Sequence, residues 1–501
     1  MEKTLLWEAL SALSPAEVRE FGKFVRSPFF NTRPQLVEWL EQLTAPPSPP
    51  GGGEKALRLG KEAALPVDGA SSAETPLAPQ ARATDLKPSA LSPPPGGLGG
   101  AALEGAALRL ANSALLALLE KYLIFKEKNS DEERGKIRLA AAYRKRNLSR
   151  HFQITLREAR QSRERQPWRH ADYYHDLNLI EWEQYQYDTA QKRTESLNIQ
   201  ATSDLMDTAF IARKLRLACL AVSHQAVYKT EYRVGLIEAV LAEAERLADL
   251  PAIGLYFHCY RFLTEPFEQG EGHFGRFRAL LADCASTFPA DELRTLYLLA
   301  INFGIKKLNE SRPGWHRATL DLYQAALALD LLLENGQMSR FAFNNIVAIA
   351  LRLDEADWAE TFILKYRPHL ERNWRDATAS LNLARVAYAR RDYPIALAHL
   401  QRSDYKDTIN NLTAKTLQMK IYYETDAHDL LASHLASLKN YIRRHTAIGY
   451  HRTNYTHIVQ YMERLMALRF NSPKAVAALR EKVAEEKILT EREWFLEQLR
   501  V

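Results

Sequence analysis

The sequence predicts an all-α protein, and more closely a right-handed α-solenoid of antiparallel helix pairs with no sheet. Apolar residues recur at helical spacing along most of the chain, and no run alternates in the way that a strand requires. Three acidic turns also recur, with 35 and then 34 residues between their first aspartates. They are Asp357-Trp358-Ala359-Glu360, Asp392-Tyr393-Pro394-Ile395-Ala396 and Asp426-Ala427-His428-Asp429-Leu430. This period is typical of helix-turn-helix units that bury their apolar faces against neighbouring units.

Residues 1–44 form a predicted N-terminal helical module. Ser14 and Glu17 have the spacing of a capping box, in which each side chain accepts a hydrogen bond from the other residue's backbone N–H. Phe29 and Phe30 follow the helix that this box begins. We expect both rings to fill the core of the module.

Residues 45–100 differ in composition from the rest of the chain. This stretch holds 11 of the 22 prolines and nine of the 21 glycines, and it has no aromatic residue. Such a sequence buries too little apolar surface to offset the entropy of folding, and its length is unusual for a loop. We therefore predict a disordered insertion rich in proline and glycine.

The remainder divides into a helical-repeat region at 101–335 and a C-terminal region at 336–501, which contains the three recurring turns and two capping helices. Four prolines mark predicted helix starts, where a missing N–H costs nothing: Pro251, Pro289, Pro313 and Pro473. The main predicted helices are 1–13, 131–146, 149–165, 170–190, 203–223, 233–249, 252–265, 273–286, 291–308, 315–333, 449–470 and 473–498.

The termini and cysteines favour a cytoplasmic protein that does not enter a membrane. The N-terminus lacks the basic start and sustained apolar run of a secretion signal. No window contains the roughly 18 uncharged apolar residues of a membrane span. Cys219, Cys259 and Cys284 are odd in number and far apart, which is typical of reduced thiols.

The segment from Ser380 to Leu397 resembles a tetratricopeptide repeat (TPR). Ala384 is the small residue at the crossing of the two helices, Asp392 lies at the turn, and Ala396 is the small residue of the second helix. The resemblance implies paired helices that stack into a superhelix with a concave binding face.

The flanking segments extend this TPR-like resemblance over residues 340–445. In the preceding unit Trp358 supplies the turn aromatic, and Thr361 stands where alanine is usual. In the following unit Ala427 replaces the aromatic residue and Leu430 the small one.

The whole chain also resembles a family of long helical proteins found in Bacteroidota genomes, for which no activity is established. The resemblance implies a helical fold and leaves the function open. It lies in Leu13-Ser14-Pro15-Ala16-Glu17, Ser27-Pro28-Phe29-Phe30-Asn31, Lys214-Leu215-Arg216-Leu217-Ala218-Cys219 and Glu493-Trp494-Phe495-Leu496.

The TPR resemblance implies a partner-binding groove, because the first helix of each unit lines the concave face in TPR domains. Basic side chains beside an asparagine and two tyrosines suit an acidic or carboxylate-ended peptide. The alternative is that these residues pack between units or face water. The implied groove residues are Asn382, Arg385, Tyr388, Lys415, Met419 and Tyr422.

The segment 144–166 is the strongest local charge in the chain. It carries eight Arg or Lys against two Glu, which equals the whole net charge of +6. Such a basic helix is a candidate for sequence-independent phosphate contacts with nucleic acid. The alternative is a solvated face paired with acids on the next helix. The candidate residues are Arg144, Lys145, Arg146, Arg150, Arg157, Arg160 and Arg163.

The sequence contains no metalloprotease motif, phosphate-binding loop or nucleophile elbow. Asp172, His175 and Asp176 form only a weak carboxylate–imidazole group, for which a solvated face is the simpler interpretation. We therefore predict no cofactor and no metal. The favoured function is a non-enzymatic interaction scaffold for an unidentified protein or peptide. A nucleic-acid-binding protein is the alternative, and an enzyme of unknown class is the second alternative.

Overall fold

The computed structural model describes residues 4–44, 105–191, 195–228, 230–310, 312, 314–401, 408–444, 450–468 and 472–500. The predicted insertion and Pro313 lie outside these residues. The chain divides into two compact units, Met1–Ser162 and Arg163–Val501. The all-α prediction is confirmed, because the described residues form 22 α-helices and one very small sheet. Among these helices, none has both the length and the apolar character needed to cross a membrane.

The first unit contains α1 to α5 and most of α6. Their bounds are α1 Leu5–Ser11, α2 Pro15–Arg26, α3 Gln35–Thr44, α4 Gly105–Ser130, α5 Glu132–Arg144 and α6 Ser149–Arg165. The first three helices bury their apolar faces against α4, whose Leu115, Leu119 and Tyr122 lie in one core with Phe21.

The start of α2 confirms the predicted capping box. The Ser14 N–H donates to Glu17 Oε2 at 2.8 Å, and the Glu17 N–H donates to Ser14 Oγ at 3.3 Å. Phe30 stacks on Phe24, with ring centroids 3.9 Å apart, as expected of a core residue. The prediction for Phe29 is wrong, because its ring is 85% exposed.

The second unit begins with seven helices that share one large apolar core. Pro251 is the first residue of its helix, as predicted, and Pro289 is the N-cap of the helix that begins at Ala290. The bounds are α7 Ala171–Gln191, α8 Ile199–Tyr228, α9 Ile237–Arg246, α10 Pro251–Thr264, α11 Phe267–Cys284, α12 Ala290–Asn309 and α13 Trp315–Ala328.

A two-stranded hairpin follows α13 and corrects the prediction that the chain has no sheet. β1 (Leu333–Glu334) pairs antiparallel with β2 (Gln337–Met338). Asn335 and Gly336 make the turn with φ of 52° and 76°. An Asn-Gly pair is the usual signal for such a turn, because both central residues need positive φ. The predicted helix 315–333 overlooked it because each strand has only two residues.

The described residues from 340 onward form nine helices, and α21 also starts at its predicted proline, Pro473. The predicted single helix 473–498 is wrong, because α21 and α22 are separate. The bounds are α14 Arg340–Arg352, α15 Ala356–Tyr366, α16 Arg372–Ala389, α17 Tyr393–Gln401, α18 Thr408–Glu424, α19 His428–Arg444, α20 Tyr450–Met466, α21 Pro473–Glu485 and α22 Arg492–Gln498.

The three recurring turns share one geometry. Asp354, Arg391 and Asp426 have φ of 59°, 58° and 54°. In each turn the next N–H donates to a carbonyl five residues earlier: Glu355 to Ala350 at 3.0 Å, Asp392 to Ala387 at 2.9 Å and Ala427 to Tyr422 at 2.9 Å. This is the hydrogen bond that ends a helix in a Schellman motif.

The geometry also corrects the register of the sequence comparison. Glu355, not Asp357, is equivalent to Asp392, and the equivalent residue of the last turn is Ala427. In this register Ala359 and Ala396 occupy the same position, and both are completely buried. The small residue that the sequence comparison did not find in the first unit is therefore present as Ala359, two residues before the expected Thr361.

Candidate functional site

The strongest candidate site lies on three helices of the second unit, α14, α16 and α18. The middle helix, α16, contacts both of the others. Each helix contributes one cation: Arg352, Arg385 and Lys420. We refer to these three residues as the cationic row. Arg385 and Lys420 each lie seven residues before the turn residues Asp392 and Ala427, so these two cations occupy equivalent positions, whereas Arg352 lies three residues before Glu355.

The chain's own C-terminal segment, defined here as residues 486–498, lies against the cationic row. Lys420 Nζ is 3.0 Å from Glu491 Oε2, and 13% of the Lys420 side chain and 26% of the Glu491 side chain are exposed. Desolvation by itself raises the pKa of Glu491, but Lys420, Arg352 and Arg385 together outweigh it, so the pKa lies below its ordinary value. The row therefore already stabilises one carboxylate.

A second anchor lies one helical turn further along α18. The Glu424 carboxylate accepts hydrogen bonds from the Tyr388 hydroxyl, from the Tyr393 hydroxyl at 2.6 Å and from Trp494 Nε1–H at 2.5 Å. Desolvation and the bond to Glu424 raise the pKa of Tyr393 to about 12, and the same two causes raise the pKa of Tyr388 above its ordinary value. Both phenols therefore remain protonated donors.

Lys420 also lies over two of these aromatic rings. Its Nζ is 4.9 Å from the centroid of Tyr388 and 5.5 Å from that of Trp494. At such distances an ammonium group is attracted by the negative face of the ring. Lys420 is thus held by a carboxylate and by two rings, which restricts its position.

The charges of the row and of the C-terminal segment also act on one histidine. Burial and the positive charge of Arg352 lower the pKa of His316, and Glu493 acts in the opposite direction.

The structure brings only two of the six predicted groove residues to this site. Arg385 belongs to the row, and Tyr388 donates to Glu424. Asn382 and Met419 are completely buried, which corrects the expectation that they line an open groove. The Asn382 side-chain amide donates to Asn344 Oδ1 and to the Thr378 carbonyl, and its Oδ1 accepts from Arg385 Nη1 at 3.2 Å, so it joins helices and supports Arg385 from the interior.

The remaining two residues lie against α19. Lys415 Nζ is 5.8 Å from the ring centroid of Tyr441, and its carbonyl accepts a bond from His434. The Tyr422 ring packs 5.5 Å from that of His434. The prediction missed Lys420, although adding the repeat length of 35 residues to Arg385 identifies it.

The predicted basic residues are divided between exposed and buried positions. Lys145, Arg146, Arg150 and Arg157 are exposed, and Arg144 and Arg160 are half-buried. Arg163 is 8% exposed and is bonded to the buried carboxylate of Asp176, so it does not belong to an exposed stripe. The same pairing accounts for Asp176, one member of the weak carboxylate–imidazole group predicted with Asp172 and His175.

A buried polar cluster lies elsewhere in the second unit. Glu292 accepts a bond from the Tyr256 hydroxyl at 2.8 Å, and Arg216 Nη1 lies 3.2 Å from its second oxygen. Glu292 and Tyr256 are only 2% and 1% exposed, so a substrate does not reach them in this conformation. Within the described residues no group of His, Cys, Asp and Glu is arranged to hold a metal ion.

Comparisons with known proteins found no relative of this chain. No protein-family model matches the chain, and no curated protein or solved structure is significantly similar to it.

Proposed function

We propose that this chain is a non-enzymatic interaction protein that binds a protein or peptide partner on the cationic row. The single observation that supports this function most is the contact between Lys420 and Glu491 at 3.0 Å, with Arg385 and Arg352 close enough to lower the pKa of the same carboxylate. A surface that lowers the pKa of a carboxylate in this way also suits an acidic group of a partner.

We further propose that the C-terminal region is a TPR-like solenoid of antiparallel helix pairs, with α14, α16 and α18 on its inner face. The common turn at Asp354, Arg391 and Asp426 supports a repeated unit. The alternating contacts of α14, α16 and α18 support a continuous face. On such a face, equivalent positions of successive units form a line, which suits an extended or helical peptide.

The test is an affinity capture from the native host with the full-length protein, analysed by mass spectrometry with and without nuclease. We expect a discrete set of proteins that survives nuclease and that is lost on the double substitution Arg352→Glu and Arg385→Glu. Lys415→Glu is the matched control, because Lys415 lies against α19 and not in the row. A set that binds the double variant and the wild type equally contradicts the proposal.

The second candidate function is nucleic-acid binding by the basic residues of the first unit. Four exposed cations within residues 145–157 support it. An enzyme remains the third candidate, and its supporting observation is the Glu292–Tyr256–Arg216 cluster. The nuclease arm of the capture distinguishes the second candidate from the first, because nucleic-acid-dependent partners disappear from it.

A further inference from the structure

We infer that the partner of the cationic row carries a glutamate followed three residues later by a tryptophan on one helical turn, and that the chain's own C-terminal segment occupies this place until the partner displaces it. The inference rests on the proposed function and names the partner's chemistry. It follows from the way in which Glu491 and Trp494 are bound.

The two anchors on α18 match the two anchors on the segment. Lys420 and Glu424 are four residues apart and therefore lie on one face of α18. Glu491 and Trp494 are three residues apart at the start of α22. Lys420 binds the Glu491 carboxylate at 3.0 Å, and Glu424 accepts from the Trp494 indole at 2.5 Å. The pairing is thus complementary at both anchors. The Lys420 ammonium meets the Glu491 carboxylate, and the Glu424 carboxylate meets the Trp494 N–H donor.

The indole and the next ring provide the apolar part of the recognition. Trp494 and Phe495 are 7% and 1% exposed in the core of the C-terminal helices. The Trp494 ring lies 5.6 Å from Tyr423, and the Phe495 ring lies 6.1 Å from Tyr461. A ligand without aromatic residues leaves this space unfilled, so a carboxylate alone does not replace the segment.

The segment has the properties of a docked ligand. α22 has only seven residues, and a helix of this length is not stable in isolation. The residues that lead into α22 are bound by polar contacts to α20. The Thr490 N–H donates to Asn454 Oδ1 at 2.8 Å, and His457 Nδ1 lies 3.0 Å from the Ile488 carbonyl. The conformation of α22 therefore depends on the surface beneath it, which a ligand with the same anchors also fits.

The test measures binding of a fluorescein-labelled synthetic peptide with the sequence of residues 486–500 to the full-length protein. Two proteins are compared, the wild type and the variant Glu491→Gln with Trp494→Phe. We expect the variant, whose own segment has lost both anchors, to bind the peptide at least about tenfold tighter than the wild type does. A peptide with Gln and Phe at the two anchor positions is the control and should not bind.

Adding Lys420→Glu to the variant should abolish peptide binding. Glu491→Gln alone keeps the indole in the core and provides a second test if the double variant does not fold, as checked by circular dichroism and a thermal melt. Equal affinity of wild type and folded variant for the peptide, or no binding to either, overturns the inference. Equal binding of an acidic peptide without aromatic residues also overturns it, but leaves the proposed function standing. Failure of the proposed function is seen separately in the affinity capture, as a set of proteins that binds the wild type and the variant with Arg352→Glu and Arg385→Glu equally.

Discussion

Lys420 and Glu491 lie 71 positions apart in the sequence, and their charged atoms are 3.0 Å apart in the folded chain. The pair connects α18 to the segment that leads into α22. Because of this pair the candidate site is occupied by the protein itself, since the carboxylate that the cationic row binds is that of Glu491. The first prediction concerns the energy of this contact.

Replacing Glu491 with Gln should destabilise the protein near neutral pH by about 1–3 kcal/mol, because the partly buried Lys420 loses a charge-assisted hydrogen bond. The pKa of Glu491 is lower in the folded protein than its ordinary value of 4.5. The contribution of the Glu491 carboxylate to the free energy of unfolding is therefore present above about pH 4.5 and is lost as the pH falls through the pKa of the folded state. Urea denaturation at several pH values should show a smaller acid-induced loss in the variant.

Glu497→Gln is the matched control, because Glu497 lies in α22, six residues after Glu491, and is exposed. A variant at Glu491 that is as stable as this control at every pH contradicts the prediction.

The second prediction concerns the paired imidazoles of α10 and α11. His258 Nδ1 and His273 Nδ1 are 2.8 Å apart. Burial, together with the charges of His273 and Arg276, lowers the pKa of His258 to about 4. Because the unfolded chain binds this proton more readily, stability should fall as the pH drops below about 6.5, and by about 2 kcal/mol near pH 5.

Denaturation curves at about pH 7 and about pH 5 test this dependence. His258→Gln should remove most of the loss, whereas His451→Gln, at an exposed position, should leave it unchanged. An undiminished loss in the His258 variant assigns the acid sensitivity to other groups.

The third prediction concerns the close crossing of α12 and α13. A Cβ on Gly304 would lie 2.4 Å from Thr319 Oγ1, and this hydroxyl is bonded to the Trp315 carbonyl at 2.7 Å. Gly304→Ala should therefore destabilise the protein by about 1–3 kcal/mol. Gly272 lies in α11 with nothing within 4 Å of its Cβ position, so Gly272→Ala should stabilise it by about 0.5–1 kcal/mol. Thermal melts of the two variants should shift in opposite directions.

The fourth prediction separates two arginines of α6. Arg163→Gln should cost about 3 kcal/mol, because the buried carboxylate of Asp176 loses its guanidinium partner. Arg157→Gln, at an exposed position of the same helix, should change stability by less than about 0.5 kcal/mol. Equal stabilities in urea would show that Arg163 is not a structural residue.

The fifth prediction tests the nucleic-acid alternative. If the basic residues of the first unit bind phosphates, the logarithm of the affinity for a labelled DNA duplex or RNA should fall linearly with the logarithm of salt concentration. The double substitution Arg150→Gln and Arg157→Gln should then reduce that slope by about two. Arg372→Gln, an exposed arginine of the second unit, is the control. A flat salt response dismisses the alternative.

Much of the helical framework was predictable from the sequence because it depends on near neighbours. The capping box of Ser14 and Glu17 is made within four residues, and α6 begins and ends at the predicted residues, 149 and 165. The Asn335-Gly336 hairpin was equally local, but its strands were too short to show a periodic pattern. The break between α21 and α22 was missed because charged residues on both sides continue the helical spacing.

The candidate site was predictable only in part. From the sequence came the all-α fold, the acidic turns that recur after 35 and 34 residues, and the place of Arg385 and Tyr388 on one helix, α16. Only the folded chain shows that Asn382 and Met419 are buried, that Lys420 and not Lys415 belongs to the row, and that Glu491 lies against it. Helices form through bonds between residues three or four apart, which a sequence pattern records. The contact of Lys420 with Glu491 depends on how the intervening helices α19, α20 and α21 pack, and no local pattern records that.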